Sequence, residues 1–281
     1  FPFSYKMLSI VSTPIGNLKD ISYRAVDTLK SCDVILCEDT RHSKRLLQHY
    51  QIDTPTKSYH QFNEARECEA IIKGIKSGKH YCLVSDAGTP TISDPGYRLV
   101  RACIKAGIDI DSVPGPCAAI LSLTLSGLST DRFQFIGFLP KKESAVRKEL
   151  FNLLYYSGTS ICYESPKRLI KLIKIIQKID PDRSIVIARE LTKRFQEILR
   201  GNPEDILTHF KEKEVKGEIV ILIGHNIAFD LNHWRKKPLE ETLKGLQETF
   251  DLSRMEAIKT LAALREQSKR EIYKQIETRS V

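Results

Sequence analysis

Two acidic segments stand where apolar runs break off. Val34-Ile35-Leu36-Cys37 runs into Glu38-Asp39-Thr40-Arg41-His42. Tyr81-Cys82-Leu83-Val84 runs into Ser85-Asp86-Ala87-Gly88-Thr89-Pro90 and then Ser93-Asp94-Pro95-Gly96. Carboxylates in such places can orient a cation or take a proton, and an arginine beside them can hold a phosphate or the acids themselves. Gly88 removes a side chain where a ligand could approach the backbone closely. The same residue types also serve plain strand-to-helix connections. Asp39 and Arg41 could pair only to brace their loop, and Asp94 is a candidate N-cap with Pro95 as the first helical residue.

The elements that must position these groups alternate between strand and helix. Strands are expected at 8–13, 34–37, 81–84 and 108–113, with amphipathic helices between them, and this alternation predicts a largely parallel sheet. Ser58–Glu64 reads as a polar, aromatic loop. In an open α/β sheet, ligands bind beyond the carboxyl ends of the strands, where both acidic segments fall. Beyond Pro114-Gly115-Pro116 the character changes. Strands at 133–138, 159–163, 184–188 and 216–224, with an alternating stretch at 195–199, predict a second α/β domain with a mixed sheet. After a polar linker at 229–238, three helical patterns remain at 239–250, 253–264 and 268–276. Ser253 and Ser268 are their expected N-caps, and Lys259, Arg265, Lys269, Arg270 and Lys274 make the group basic on one side, in a helix-turn-helix-like arrangement. The expected division is 7–114, 115–228 and 236–281.

Composition narrows the class. The chain has 281 residues, 41% hydrophobic and 28% charged, which is a soluble globular balance. No apolar run approaches the ~20 residues of a membrane span. Residues 1–6 are too short for a signal peptide and are expected to be an extension before Met7. Forty-four Lys and Arg against 35 Asp and Glu leave a net charge of +9, which favours an anionic partner, nucleic acid before membrane. Seven scattered cysteines without a C-x-x-C pair point to a reducing cytoplasm, and histidines without H-x-H or H-E-x-x-H spacing point to no metal. There is no G-x-G-x-x-G, no P-loop and no G-x-S-x-G. Small-residue loops recur at strand ends instead: Thr13-Pro14-Ile15-Gly16-Asn17, the Asp86 loop, Pro114-Gly115-Pro116, Tyr163-Glu164-Ser165-Pro166 and Ala188-Arg189-Glu190. Such a set suits an uncharged or cationic ligand held by backbone groups.

Together with Glu38-Asp39-Thr40-Arg41-His42, Ser93-Asp94-Pro95-Gly96-Tyr97-Arg98 and Ala188-Arg189-Glu190-Leu191-Thr192-Lys193, these segments resemble the small-subunit ribosomal RNA methyltransferases of the tetrapyrrole (corrin/porphyrin) methylase superfamily. The resemblance runs in order from Leu8 through His225, and the C-terminal helices resemble that group's small third domain. Thr91 departs from it, standing where many relatives have glycine, and Cys117 stands where many have serine. The resemblance implies two α/β domains with S-adenosylmethionine in the cleft between them, a homodimer, and 2′-O-methylation of a cytidine in the decoding region of small-subunit (16S) ribosomal RNA on the assembled subunit. It implies neither DNA nor membrane as a partner.

On that reading, Pro14, Gly16, Asp86, Ala87, Gly88, Thr89, Pro90, Pro114, Ala118, Ala119, Tyr163, Ser165, Ala188 and Gly217 are the candidate cofactor residues. Backbone carbonyls suit the weakly donating methyl hydrogens of a sulfonium, and Ala118 and Ala119 leave room for a flat adenine. A ribose hydroxyl is a poor nucleophile at neutral pH and needs orientation and a proton acceptor. Glu38, Asp39, His60, Glu190 and Lys193 are the candidates, with Arg41 beside them. Arg41, Lys44, Arg45, Arg66, Arg132, Lys141, Lys142, Arg189 and Lys193 could hold phosphates. A small-tetrapyrrole methylase and a noncatalytic RNA-binding module on the same fold are the alternatives.

Overall fold

The computed structural model describes residues 7–226 and 235–277. The expected extension at 1–6, positions 229–234 of the expected linker, and residues 278–281 lie outside the described residues. The chain forms two compact units. One runs through Leu121 and takes back Leu191–Arg194; the other comprises Ser122–Glu190 and the chain from Phe195 onward.

The first unit holds β1 (Met7–Val11), α1 (Tyr23–Ser31), β2 (Val34–Cys37), α2 (Thr40–His49), β3 (Thr56–Ser58), α3 (Glu64–Lys76), β4 (Tyr81–Leu83), α4 (Tyr97–Lys105) and β5 (Asp109–Val113). The strands are ordered β3-β2-β4-β1-β5, and every pairing is parallel. Leu8 pairs with Tyr81 on one side and Ile110 on the other. All five carboxyl ends therefore open on one edge, as a parallel sheet with helical crossovers requires. One sheet face packs Val11, Ile35, Cys82 and Val113 with α1; the other packs Leu8, Leu36, Tyr81 and Leu83 with Ile71, Ile75, Leu99 and Cys103 of α3 and α4.

Three local expectations need correction. The first strand ends at Val11, because Thr13 leaves it to form an antiparallel bridge with Gly88. Thr56–Ser58 is a strand that was not expected; it is short, lies on the sheet edge and is partly exposed, so it carries no apolar run. Asp94 does not cap α4. The helix begins at Tyr97 after Gly96, whose φ of +130° only glycine adopts readily. Thr91 and Ser93 also lie at positive φ (+74° and +65°), so the backbone reverses twice just before Asp94, and the helix is capped at Gly96 without a side-chain hydrogen bond.

The helix α5 (Ala118–Ser126) leads into the second unit, which holds β6 (Phe133–Phe138), α6 (Glu143–Leu154), β7 (Thr159–Glu164), α7 (Pro166–Ile179), β8 (Ile185–Arg189), β9 (Glu197–Gly201), α8 (Pro203–His209) and β10 (Ile219–Ile223). Its sheet runs β6-β7-β10-β8-β9; β6 and β7 are parallel and the other pairings antiparallel. Every residue of β10, the central strand, is buried. Three helices follow: α9 (Leu239–Phe250), α10 (Arg254–Leu264) and α11 (Lys269–Glu277). Ser253 and Ser268 cap the last two, each exchanging hydrogen bonds with the glutamate three residues on. These helices do not build a separate core. Leu243, Leu246, Phe250 and Leu261 join the cluster that includes Phe151 and Ile173, and the Phe250 ring packs edge-on against Phe151 at 5.3 Å.

Candidate active site

The site in the first unit is assembled from loops at the carboxyl edge of its sheet. Thr13 and Gly88 exchange backbone hydrogen bonds at 2.9 and 3.0 Å. The Thr13 hydroxyl donates to the Ser85 carbonyl at 3.3 Å, and the Thr89 hydroxyl to the Pro116 carbonyl at 3.1 Å. The loops after β1, β4 and β5 are thereby fastened together. Gly88 has φ +83°, and a Cβ there would lie 3.2 Å from Ile15 Cγ2, so the bridge depends on glycine. A fourth piece joins from further along the chain: Thr192 Oγ1 accepts from the Asn17 N–H at 3.1 Å, and Gly16 lies against Leu191, Thr192 and Lys193 so closely that a Cβ would collide with all three.

Beside these loops stands a group of carboxylates. The Asp39 N–H donates to Asp86 Oδ1 at 3.1 Å, joining the β2 and β4 loops. Partial burial and the nearby Asp86 charge raise the Glu38 pKa, while His60 opposes the rise. Asp94, unforeseen as a site residue, is pushed up to about 6, first by burial and then by Glu38 and Asp86. Its sequence neighbours gave a capping signal instead. Glu38, Asp86 and Asp94 therefore form one interacting set, with His60 within reach of Glu38. The His60 backbone N–H is held by Asn63 Oδ1 at 2.8 Å.

Asp39 has a different place. Its carboxylate caps α2 through the Arg41 N–H at 2.8 Å and takes the Arg41 guanidinium at 2.9 and 3.2 Å. The side-chain and backbone hydrogen bonds from Arg41 hold its pKa down at about 2, so it stays ionised and does not accept protons near neutral pH. This is the bracing arrangement that the sequence left open, and the Arg41 side chain remains largely in solvent.

In the second unit, Glu190 Oε1 accepts from the Glu218 N–H at 2.9 Å, and the Glu190 N–H donates to the Glu218 carbonyl. A Cβ on Gly217 would overlap the Glu190 side chain, so these two candidates are packed together. Tyr163 meets Phe135 and Phe138 edge-on at 4.9 and 5.5 Å. Ser165 precedes α7 without its hydroxyl capping the helix. Ala188 lies wholly inside the sheet. Among the cationic candidates, Arg189 is engaged by Glu197 and the Lys216 carbonyl, and Arg66 by Glu67. Lys44, Arg45, Arg132, Lys141 and Lys142 are exposed.

Residues 7–207 match the tetrapyrrole (corrin/porphyrin) methylases. A ribosomal RNA small subunit methyltransferase I from a Hydrogenobaculum species is 46% identical over 220 residues, 77% of this chain and 95% of that protein. A protein of the same name from a Synechocystis species is 40% identical over 95% of this chain and 96% of its own. The chain belongs to the tetrapyrrole (corrin/porphyrin) methylase family. The family fold is also that of a uroporphyrin-III C-methyltransferase from Thermus thermophilus, crystallised with S-adenyl homocysteine: TM-score 0.57 at 16% identity, over 78% of this chain and 97% of that one.

The first unit of this methylase fits S-adenosylmethionine on its own geometry. The cofactor is cationic at sulfur, and Asp86 places negative charge at the end of β4. The fastened Thr13, Gly88 and Pro116 loops bring backbone carbonyls together, and Ala118 and Ala119 open α5 with small side chains. Asp86, Ala87, Gly88, Thr89, Pro90, Pro14, Gly16 and Pro114 all lie in these loops.

Proposed function

We propose that this chain uses S-adenosylmethionine to methylate the ribose 2′-oxygen of a cytidine in the decoding region of small-subunit (16S) ribosomal RNA. The observation that carries the reading is the carboxylate set at the parallel sheet's carboxyl edge, in a chain 46% identical to an enzyme named for small-subunit ribosomal RNA. The cofactor supplies an electrophilic methyl group carried on a sulfonium.

The chain's part is to hold and deprotonate the acceptor. Glu38 is our choice of proton acceptor, because burial and the Asp86 charge raise its proton affinity above that of an ordinary carboxylate, as a general base near neutral pH requires. Asp86 positions the Asp39 backbone and sets the local charge. His60 stands close enough to stabilise the Glu38 carboxylate. Arg41, Lys44 and Arg45 are our candidates for phosphate contacts, a reading supported by their exposure on α2. We propose further that the chain acts in the cytoplasm as a homodimer. Seven free thiols support a reducing compartment, and exposed Tyr97 and Ile104 on α4 support a self-association surface. The functional division into 7–114, 115–228 and 236–281 is likewise our proposal.

The test is transfer of a labelled methyl group to purified small ribosomal subunits, compared with a precorrin-type tetrapyrrole. Label in the RNA and none in the tetrapyrrole supports the reading; the reverse favours the small-molecule alternative. Cofactor binding without transfer to either would leave an RNA-binding module.

A further inference from the structure

The helix α7 carries a row of cations, of which Lys167, Lys174 and Lys178 enter no ion pair among the described residues. Its sequence, Pro166-Lys-Arg-Leu-Ile-Lys-Leu-Ile-Lys-Ile-Ile-Gln-Lys-Ile179, has five basic residues and no acid. Lys167, Lys171, Lys174 and Lys178 recur at intervals of four, three and four, so they share one face, and all four are exposed. The opposite face buries Leu169, Leu172, Ile173 and Ile176. From Lys167 to Lys178 the row covers twelve residues, eleven steps of helical rise, about 16 Å.

The helix dipole accounts for only part of this row, since Lys178 alone lies in the last turn, where positive charge is favourable. Lys167 and Arg168 sit in the first turn, where positive charge opposes the helix dipole. Some other helix lysines find an acid one turn away on the same helix, as in Glu69–Lys73 and Lys244–Glu248. On α7 the charges are treated differently. Arg168 turns inward to Glu164 and the carbonyls of Leu139 and Pro140. Lys171 meets Glu143 of α6 at 2.5 Å. The exposed Lys141, just before α6, lines the same small cavity as Lys171 and Arg168, together with their partners Glu143 and Glu164, and adds a further exposed cation beside the row.

We infer that the lysine face of α7, continued by Lys141, is a docking surface for the phosphate backbone of the RNA substrate. A row at the spacing of helix turns suits a linear polyanion, and flexible ammonium groups bind phosphates without reading sequence. The inference rests on the ribosomal RNA reading above and adds a surface outside the candidate active site.

The test compares full-length protein with the triple variant Lys167→Gln, Lys174→Gln, Lys178→Gln. Glutamine keeps helix propensity and removes only charge. Binding to purified small-subunit ribosomal RNA is measured from 50 to 300 mM KCl, alongside S-adenosylmethionine affinity and thermal melting. The expected result is unchanged melting and cofactor affinity, at least tenfold weaker RNA binding at low salt, and a salt slope shallower by about 2 for three lost phosphate contacts. An RNA affinity and slope equal to wild type would overturn the docking surface while leaving the methylation reading intact. So would retained RNA binding with a selective loss of binding to phosphatidylglycerol vesicles. If the wild-type protein itself neither binds the RNA in a salt-dependent way nor methylates small subunits, the methylation reading falls and this inference falls with it.

Discussion

The backbone N–H of Asp39 is bound to the carboxylate of Asp86 at 3.1 Å, so the loop after β2 is set by an acid belonging to the loop after β4. Asp86 thereby combines two duties: it fixes the backbone beside Glu38, and it contributes the charge that raises the Glu38 pKa. Asp86→Asn separates them, since the amide oxygen still accepts from Asp39 while the charge is gone. The expected outcome is a melting temperature close to wild type and S-adenosylmethionine affinity about tenfold weaker by calorimetry, the size of one lost charge-assisted contact. Unchanged affinity would remove Asp86 from the cofactor site.

Glu38→Gln is expected to lower the single-turnover methyl-transfer rate by about a hundredfold or more, the range of a lost general base, with cofactor affinity little changed. In wild type the rate should fall on the acid side as Glu38 becomes protonated. Removing a neighbouring anion lowers a carboxyl pKa, so Asp86→Asn should move that limb to lower pH. A limb that stays in place in Asp86→Asn, or survives in Glu38→Gln, assigns the proton to another group, with His60, Glu190 and Lys193 next in order.

Arg41→Ala leaves the Asp39 cap on α2 in place and removes a side chain that is mostly solvated. Thermal stability should therefore hold, while the transfer rate on small subunits falls about a hundredfold if Arg41 positions the substrate. A wild-type rate would make the Asp39–Arg41 pair a brace of the loop alone.

Asp94 gives a pH signature in stability. Its pKa rises on folding from an ordinary 3.8 to about 6, so the native state holds a proton that the unfolded chain has lost across that interval. The contribution is fully present below about pH 4 and disappears as pH rises through about 6. Asp94→Asn should thus be more stable than wild type at pH 7.5, by about 1–2 kcal/mol after discounting for solvent at this partly exposed site, and equal to it at pH 4. Melting curves that differ by the same amount at both pH values would show that the effect is not ionic.

Thr91 holds a β-branched side chain at φ +74°. The left-handed region costs an L residue about 1–2 kcal/mol, and glycine's additional unfolded-state entropy returns part of the gain. Thr91→Gly is therefore expected to stabilise by roughly 0.5–1 kcal/mol in denaturant titration. A loss of stability would show that Thr91 makes contacts worth more than its backbone strain.

Much of this arrangement could be read from residue order. The apolar runs at 34–37 and 81–84, each ending in acids, located the β2 and β4 loops, and the alternation of helix and strand implied that these loops share an edge. Thr56–Ser58 escaped because an exposed edge strand needs no apolar pattern. Asp94 was misplaced because N-cap preference is a local signal, whereas the backbone reversals at Thr91 and Ser93 are set by tertiary packing. The attachment of Thr192 to Asn17 spans 175 residues and leaves no local trace. Thr91, which the family resemblance marks as a departure, stands at one of those reversals.

The most direct measurement is a map of ribose methylation on small-subunit ribosomal RNA from cells with and without the gene, followed by treatment of the unmodified subunits with purified protein and S-adenosylmethionine. The account expects one 2′-O-methylcytidine in the decoding region to be absent without the gene, restored by wild-type protein, and not restored by Glu38→Gln. Identical maps from the two cell types, with no new methyl group after treatment, would contradict it.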